Sequence, residues 1–190
     1  LSGASYVVFG SASGFQANVN LSALDAASGF RILGEAQGDR AGIRVSAAGD
    51  VNGDGFADVI IGAPNSEANG ADSGASYVVF GKASGFSDVQ LSTLNGKDGF
   101  RIAGAAPGDM NGYGVRAAGD VNGDGFDDVI VGSFSSAPNG VQSGAAYVVF
   151  GKAAGFAANL NLSALNGNDG FRIAGGAAGD MAGYAVGGIG

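Results

Sequence analysis

Apolar residues along this chain fall in short bursts separated by glycine, asparagine, aspartate and serine. Between residues 41 and 110 there are four such runs: IRVSAA at 43–48, DVIIGA at 58–63, ASYVVF at 75–80 and GFRIA at 99–103. Valine, isoleucine, phenylalanine and tyrosine dominate them and turn formers fill the gaps, so each is predicted to be a β-strand. VII and YVVF are apolar without alternation, which predicts strands covered on both faces. No segment shows a helical pattern of convincing length.

The pattern repeats with a period of about seventy residues. SGASYVVFG at 2–10 returns at 73–81 and, as SGAAYVVFG, at 143–151. GFRILG at 29–34 returns as GFRIAG at 99–104 and 170–175, and AAGDVNGDGF at 47–56 returns at 117–126. Four strands per repeat, each sheet covered by its neighbours, is the pattern of a β-propeller blade. The expected class is therefore all-β, a partial propeller of four-stranded antiparallel blades. Residues 1–40 read as the last two strands of one blade, 41–110 and 111–181 as full blades, and 182–190 as the start of the next. GDMAGYAVGGIG at 179–190 aligns with GDMNGYGVRAAG at 108–119, so the repeat predicts an aspartate at the next position. Propellers close with four to eight blades, which makes this stretch read as a segment of a longer protein.

Composition narrows the chemistry. Glycine supplies 38 of 190 residues, without a collagen period. Cysteine, histidine and tryptophan are absent. Nucleophilic triads built on histidine, zinc sites with nitrogen or sulfur ligands, haem and iron–sulfur ligation, and disulfides are thereby excluded. The net charge of −8 disfavours nucleic acid or an anionic bilayer as partner and suits divalent cations. No run reaches the ~18 apolar residues of a transmembrane helix. The first residues, LSGASYVVFG, lack a basic n-region and belong to a repeat, so no secretory signal is legible there.

The densest chemistry lies in DVNGDGFAD at 50–58 and DVNGDGFDD at 120–128. Oxygen-bearing side chains occupy loop positions 1, 3, 5 and 9: Asp50, Asn52, Asp54 and Asp58, then Asp120, Asn122, Asp124 and Asp128. Glycines at positions 4 and 6 permit positive φ. This predicts a loop curled around one point, with the position-7 carbonyl of Phe56 or Phe126 turned inward. Such a set of hard oxygens suits Ca²⁺, with Mg²⁺ as second choice because it demands stricter geometry. An EF-hand would need glutamate at position 12, where Ile61 and Val131 stand inside strands. The bland alternative is that these DG and NG pairs only make turns. Two copies with identical spacing, and the repulsion among crowded carboxylates, favour two calcium sites.

The motif GDVNGDGxxDVIIGAP resembles the FG-GAP repeat of integrin α-chain propellers and their bacterial relatives. That resemblance implies a propeller, commonly seven-bladed, with Ca²⁺ in the hairpin between the first two strands of a blade. It places the ligands at the same ten positions. Gly62-Ala63-Pro64 matches the motif, whereas the next repeat has Gly132-Ser133-Phe134, and the Phe-Gly pair becomes Ala41-Gly42, Asn111-Gly112 and Ala182-Gly183. These departures are closer to a bacterial surface protein than to an animal integrin.

Arg31, Arg101 and Arg172 recur, as do Asp39, Asp109 and Asp180. An anion or glycan site is one reading; a pair or turn contact locking each outer strand is preferred. Tyr6, Tyr77 and Tyr147 are expected in the core rather than on a sugar. Asn20 and Asn161 begin formal glycosylation sequons and are expected as polar turn residues. No catalytic constellation is legible, so the chain is not expected to be an enzyme. The expected function is a calcium-stabilised binding or adhesion module of a secreted or cell-surface protein, with a protein or glycan ligand. The alternatives are a matrix, sheath or fibre subunit that self-associates through its blade faces, and an accessory domain of a secreted enzyme.

Overall fold

The four apolar runs become strands in the structure, a computed structural model that describes residues 2–153 and 155–188. Position 1 of the expected half blade, position 154, and positions 189–190 of the expected last segment lie outside the described residues. The strands are β1 (Ala4–Val8), β2 (Gly29–Leu33), β3 (Arg44–Gly49), β4 (Asp58–Ala63), β5 (Ala75–Val79) and β6 (Val89–Gln90). They continue as β7 (Gly99–Ala103), β8 (Gly114–Gly119), β9 (Asp128–Ser133), β10 (Ala145–Val149), β11 (Asn159–Asn161) and β12 (Gly170–Ala174). No α-helix occurs among the described residues; three single 3₁₀ turns follow Asn20, Gln90 and Asn161.

Three sheets form, ordered β1-β2-β6, β11-β7-β5-β4-β3 and β12-β10-β9-β8. The second and third each contain a four-stranded antiparallel meander, β3-β4-β5-β7 and β8-β9-β10-β12. The architecture is a partial β-propeller. β6 and β11 were not predicted, being too short to carry a period-2 signal. Each is parallel to the outer strand of the preceding sheet, with Ile32 opposite Val89 and Ile102 opposite Leu160. Each repeat thus lends a short strand backwards.

Two of the three YVVF copies are covered on both faces as predicted, every residue of β5 and β10 being buried, whereas in β1 Tyr6 and Val8 are exposed. One apolar cluster joins Phe30 and Ile32 of β2 to Ile61, Tyr77 and Leu91 of the next repeat. A second joins Ile60, Phe100 and Ile102 to Val129, Val131 and Leu162. Core is therefore shared between sheets. Three-ring groups seal the outer rim: Phe9, Phe30 and Phe86, then Phe80, Phe100 and Phe156.

The blades approach closely through glycine and one buried amide. A Cβ on Gly62 would sit 1.9 Å from the Gly112 carbonyl oxygen of the next blade, so no side chain fits there. Asn111, fully buried, donates through Nδ2 to the Ile102 carbonyl at 3.1 Å.

Burial differs sharply between equivalent positions. Ile102 is fully buried, whereas Ile173 on β12 is 46% exposed. Ile102→Ala is expected to cost about 2–5 kcal/mol by the cavity it leaves, and Ile173→Ala about 1 kcal/mol or less. Urea unfolding of the two variants checks this, and equal losses would contradict the burial pattern.

Candidate metal centre

Each carboxylate loop begins where a strand slips out of register. The β3–β4 pairing skips between Ala47 and Gly49, and β8–β9 skips between Ala117 and Gly119. A bulge at that point bends the strand and releases the next residues into the loop. The loop glycines have positive φ as predicted: 72° and 87° at Gly53 and Gly55, 76° and 90° at Gly123 and Gly125. Those turns expose consecutive N–H groups toward the first aspartate.

Asp50 accepts from the N–H groups of Asp54 at 3.0 Å and Gly55 at 2.8 Å. Asn52 accepts from the Asp54 N–H and donates its amide to the Asp54 carboxylate at 2.9 Å. Asp54 in turn accepts from the Phe56 N–H. The second loop repeats this set: Asp120 accepts from Gly123, Asp124 and Gly125, Asn122 bridges to Asp124, and Asp124 accepts from Phe126. Positions 1, 3, 5 and 7 are thus drawn into one curl. Its side-chain oxygens are partly spent on backbone donors, yet each carboxylate oxygen keeps a second lone pair.

Position 9 behaves differently. Asp58 and Asp128 are buried. Asp58 accepts from the Val51 N–H at 2.9 Å and from the Gly81 N–H, beyond β5, at 2.8 Å. Asp128 does the same with Val121 and Gly151. These carboxylates tie the loop to the end of the third strand. Burial pushes the Asp58 carboxyl up to about 6, against the two N–H donors, and the Asp54 and Asp50 charges add to the rise. Burial raises Asp128 likewise. A buried carboxylate among like charges is the environment a cation relieves.

The donor chemistry of each loop, carboxylate and amide oxygens, fits a hard divalent ion. Convergence is incomplete. Among the described residues no three acidic side chains stand close enough together to hold a metal ion by themselves.

A residue outside the predicted set links the loops. Asp127, at position 8, accepts from the Asp50 N–H at 2.8 Å, while its own N–H donates to the Asp50 carbonyl. Its carboxylate lies over Gly49, where a Cβ would fall 2.3 Å from Oδ2. The Phe126 ring lies equally close over Gly53. The legible signal was the change from Ala57 to Asp127 between otherwise matching loops.

The recurring arginines do not pair with the recurring aspartates. Arg31 forms its ion pair with Asp88, just before β6. Arg101 bonds Asn159, the matching residue at β11, and pairs with Glu35 at 3.0 Å. Asp39, Asp109 and Asp180 make the turn contacts instead, accepting from Ala36, Ala106 and Ala177. Tyr77 and Tyr147 are core, with the Tyr77 hydroxyl donating to Glu35, whereas Tyr6 is exposed. Asn20 and Asn161 accept from the N–H groups of Ser22 and Ser163, as turn caps. A cleft of about 600 Å³, lined by Glu35, Asp39, Glu67, Asp72, Arg40 and Arg101, lies away from both carboxylate loops.

Comparison with known proteins adds a family context. A model of the FG-GAP repeat matches residues 41–79. The chain is similar to integrin alpha pat-2 of Caenorhabditis elegans, 36% identical over 107 residues, covering 55% of this chain and 8% of that protein. It is 38% identical over 104 residues to integrin alpha-E of Mus musculus, covering 52% of this chain and 8% of that one. Integrin alpha-PS5 of Drosophila melanogaster is 32% identical over 96 residues, 50% of this chain and 9% of the relative. The chain thus spans under a tenth of the length of these relatives.

Asp58→Asn replaces an acceptor of two N–H groups by a side chain whose amide would confront one of them. It is expected to lose about 1–3 kcal/mol even with chelator present. Asp127→Ala, which strips the Asp50 N–H of its partner, should lose a similar amount in the same chelated buffer. Unchanged denaturation midpoints would show that these carboxylates do not hold the hairpins.

Proposed function

We propose, from its likeness to the FG-GAP repeat and to integrin alpha chains, that the chain is a calcium-stabilised binding module of an extracellular or cell-surface protein. The carrying observation is the duplicated all-oxygen loop, wrapped by the same two position-5 and position-6 N–H groups in successive blades. In this reading Asp50, Asn52, Asp54, Asp58 and the Phe56 carbonyl serve one Ca²⁺. Asp120, Asn122, Asp124, Asp128 and the Phe126 carbonyl serve a second. The ion supplies positive charge, cancelling four of the eight net negative charges when both loops are filled.

The chain's own residues do the rest. Asp50 and Asp120 gather the loop N–H groups, and Asp58 and Asp128 fasten the loop to the third strand. Asp127 passes a change in one loop to the other, since it touches the Asp50 backbone. Without disulfides, this is how hairpins at the rim of a glycine-rich fold would be kept rigid outside the cell. The blade surfaces then offer a fixed platform for a protein or glycan ligand, as expected of an adhesion module. Affinity in the extracellular range of ~10⁻⁴–10⁻³ M would suffice.

Thermal melts in calcium and in chelator test the reading, together with calorimetric stoichiometry. Calcium at a hundredfold excess over Kd is expected to stabilise by about 2.7 kcal/mol per site, with two ions bound per chain. The Asp54→Ala/Asp124→Ala variant should lose that response while its chelated melt stays near that of the parent. Coincident melts with and without calcium in the parent chain would sink the proposal.

A further inference from the structure

The two carboxylate loops touch each other, and the contacts fall on or beside their candidate ligands. Asp127, at position 8 of the second loop, holds Asp50, position 1 of the first, from both sides. Its carboxylate accepts from the Asp50 N–H at 2.8 Å, and its own N–H donates to the Asp50 carbonyl at 3.2 Å. A second path joins the two position-9 aspartates. Asp58 accepts from the Val51 N–H, the Val51 carbonyl accepts from the Lys152 N–H at 3.0 Å, and the adjacent Gly151 N–H donates to Asp128. The Phe126 ring covers Gly53, where a Cβ would fall 2.3 Å from it.

The clamp on Asp50 belongs to one side chain. Position 8 of the first loop is Ala57, which carries no acceptor. Asp127 stands between Phe126 and Asp128, the candidate donors at positions 7 and 9 of the second loop. Whatever orders those two neighbours fixes the backbone on both sides of Asp127, and with it the direction of its carboxylate. That carboxylate sets the place of Asp50, which in turn gathers the Asp54 and Gly55 N–H groups. The first loop therefore takes part of its shape from the second.

We propose that Asp127 is a positioning residue through which the two loops take up calcium with positive cooperativity, so that filling either loop tightens the other. The inference rests on the calcium reading above and adds its regulation. An occupied second loop has already met the ordering cost of the bridge, and the first loop is then presented preformed. Linkage makes the effect reciprocal. Two cations without such a bridge would only repel, which gives the opposite sign. The result is a steeper response to calcium than two separate loops give, with no added ligand.

Calcium titrations followed by amide NMR test it, with the Gly55 and Gly125 N–H groups reporting on each loop separately. Asp124→Ala empties the second loop, and the first loop is then expected to bind about fivefold or more weakly than in the parent. Asp127→Ala installs the residue that the first loop carries at the same position. It should still bind two ions, but its first-loop affinity should no longer respond to Asp124→Ala. Asp127→Asn loses the charge and keeps an acceptor for the Asp50 N–H, so it should retain the response. Hydrogen exchange in chelator gives a readout without metal: the Asp50 amide should exchange slowly in the parent and in Asp127→Asn, and faster in Asp127→Ala.

Two ions bound with a first-loop affinity indifferent to Asp124→Ala would overturn the coupling and leave the calcium reading standing. A response that survives Asp127→Ala, an Asp127→Asn variant that behaves like the alanine one, or an Asp50 amide that exchanges equally in all three chains would overturn it too. Calcium that moves neither Gly55 nor Gly125 would overturn the calcium reading and the coupling with it.

Discussion

A four-stranded blade of valine, isoleucine and phenylalanine has two apolar faces and cannot cover either one itself. Everything else in this structure follows from how neighbours cover them. The apolar clusters lie between sheets, with Ile61 and Tyr77 packed toward the first repeat and Ile60 and Val78 toward the third. Stability is therefore a property of the stack, as in other repeat proteins. Equivalent residues take their burial from what lies beside them. Val51 is fully covered where the following loop reaches it, and Val121, with the same neighbours in sequence, is half exposed.

Charge is organised along the same axis. Each loop places its first aspartate over a fan of backbone N–H groups and its last aspartate under the hairpin. These bonds offset part of the cost of crowding carboxylates, yet burial still lifts Asp58 and Asp128 above the ordinary range. The Asp127 bond to Asp50 couples the loops pairwise. The fold thus connects electrostatics at the loop to packing between blades, because the residues that join the loops also join the sheets.

Most of the strand pattern was legible because each long strand carries a dense β-branched run bounded by turn formers. The covered strands β5 and β10 were recognisable from unbroken apolar stretches, and the glycine conformations followed from the carboxylate spacing. Short strands escaped notice: VQ and NLN have no periodicity, and only a partner edge makes them strands. Asp127 escaped for a related reason. Its role depends on a loop 77 residues earlier in the chain, and local spacing contains no information about that distance. The arginines were read against the recurrent aspartates, but Asp88 and Asn159 reach Arg31 and Arg101 from the following repeat and Glu35 reaches Arg101 from the preceding one.

By itself the sequence determined the repeat, the all-β class, the long strands and the oxygen-donor character of both loops, because these are local matters of propensity, periodicity and side-chain chemistry. Tertiary structure alone decided which copies are buried, which arginine meets which acid and where position 9 spends its oxygens. Near-identical repeats carry the same local instructions, so only their place in the stack tells them apart. Phe100 and Phe171 share the motif GFRIA, yet Phe100 is buried beside the β11 pairing, while among the described residues no strand pairs with the matching edge of β12 and Phe171 is partly exposed.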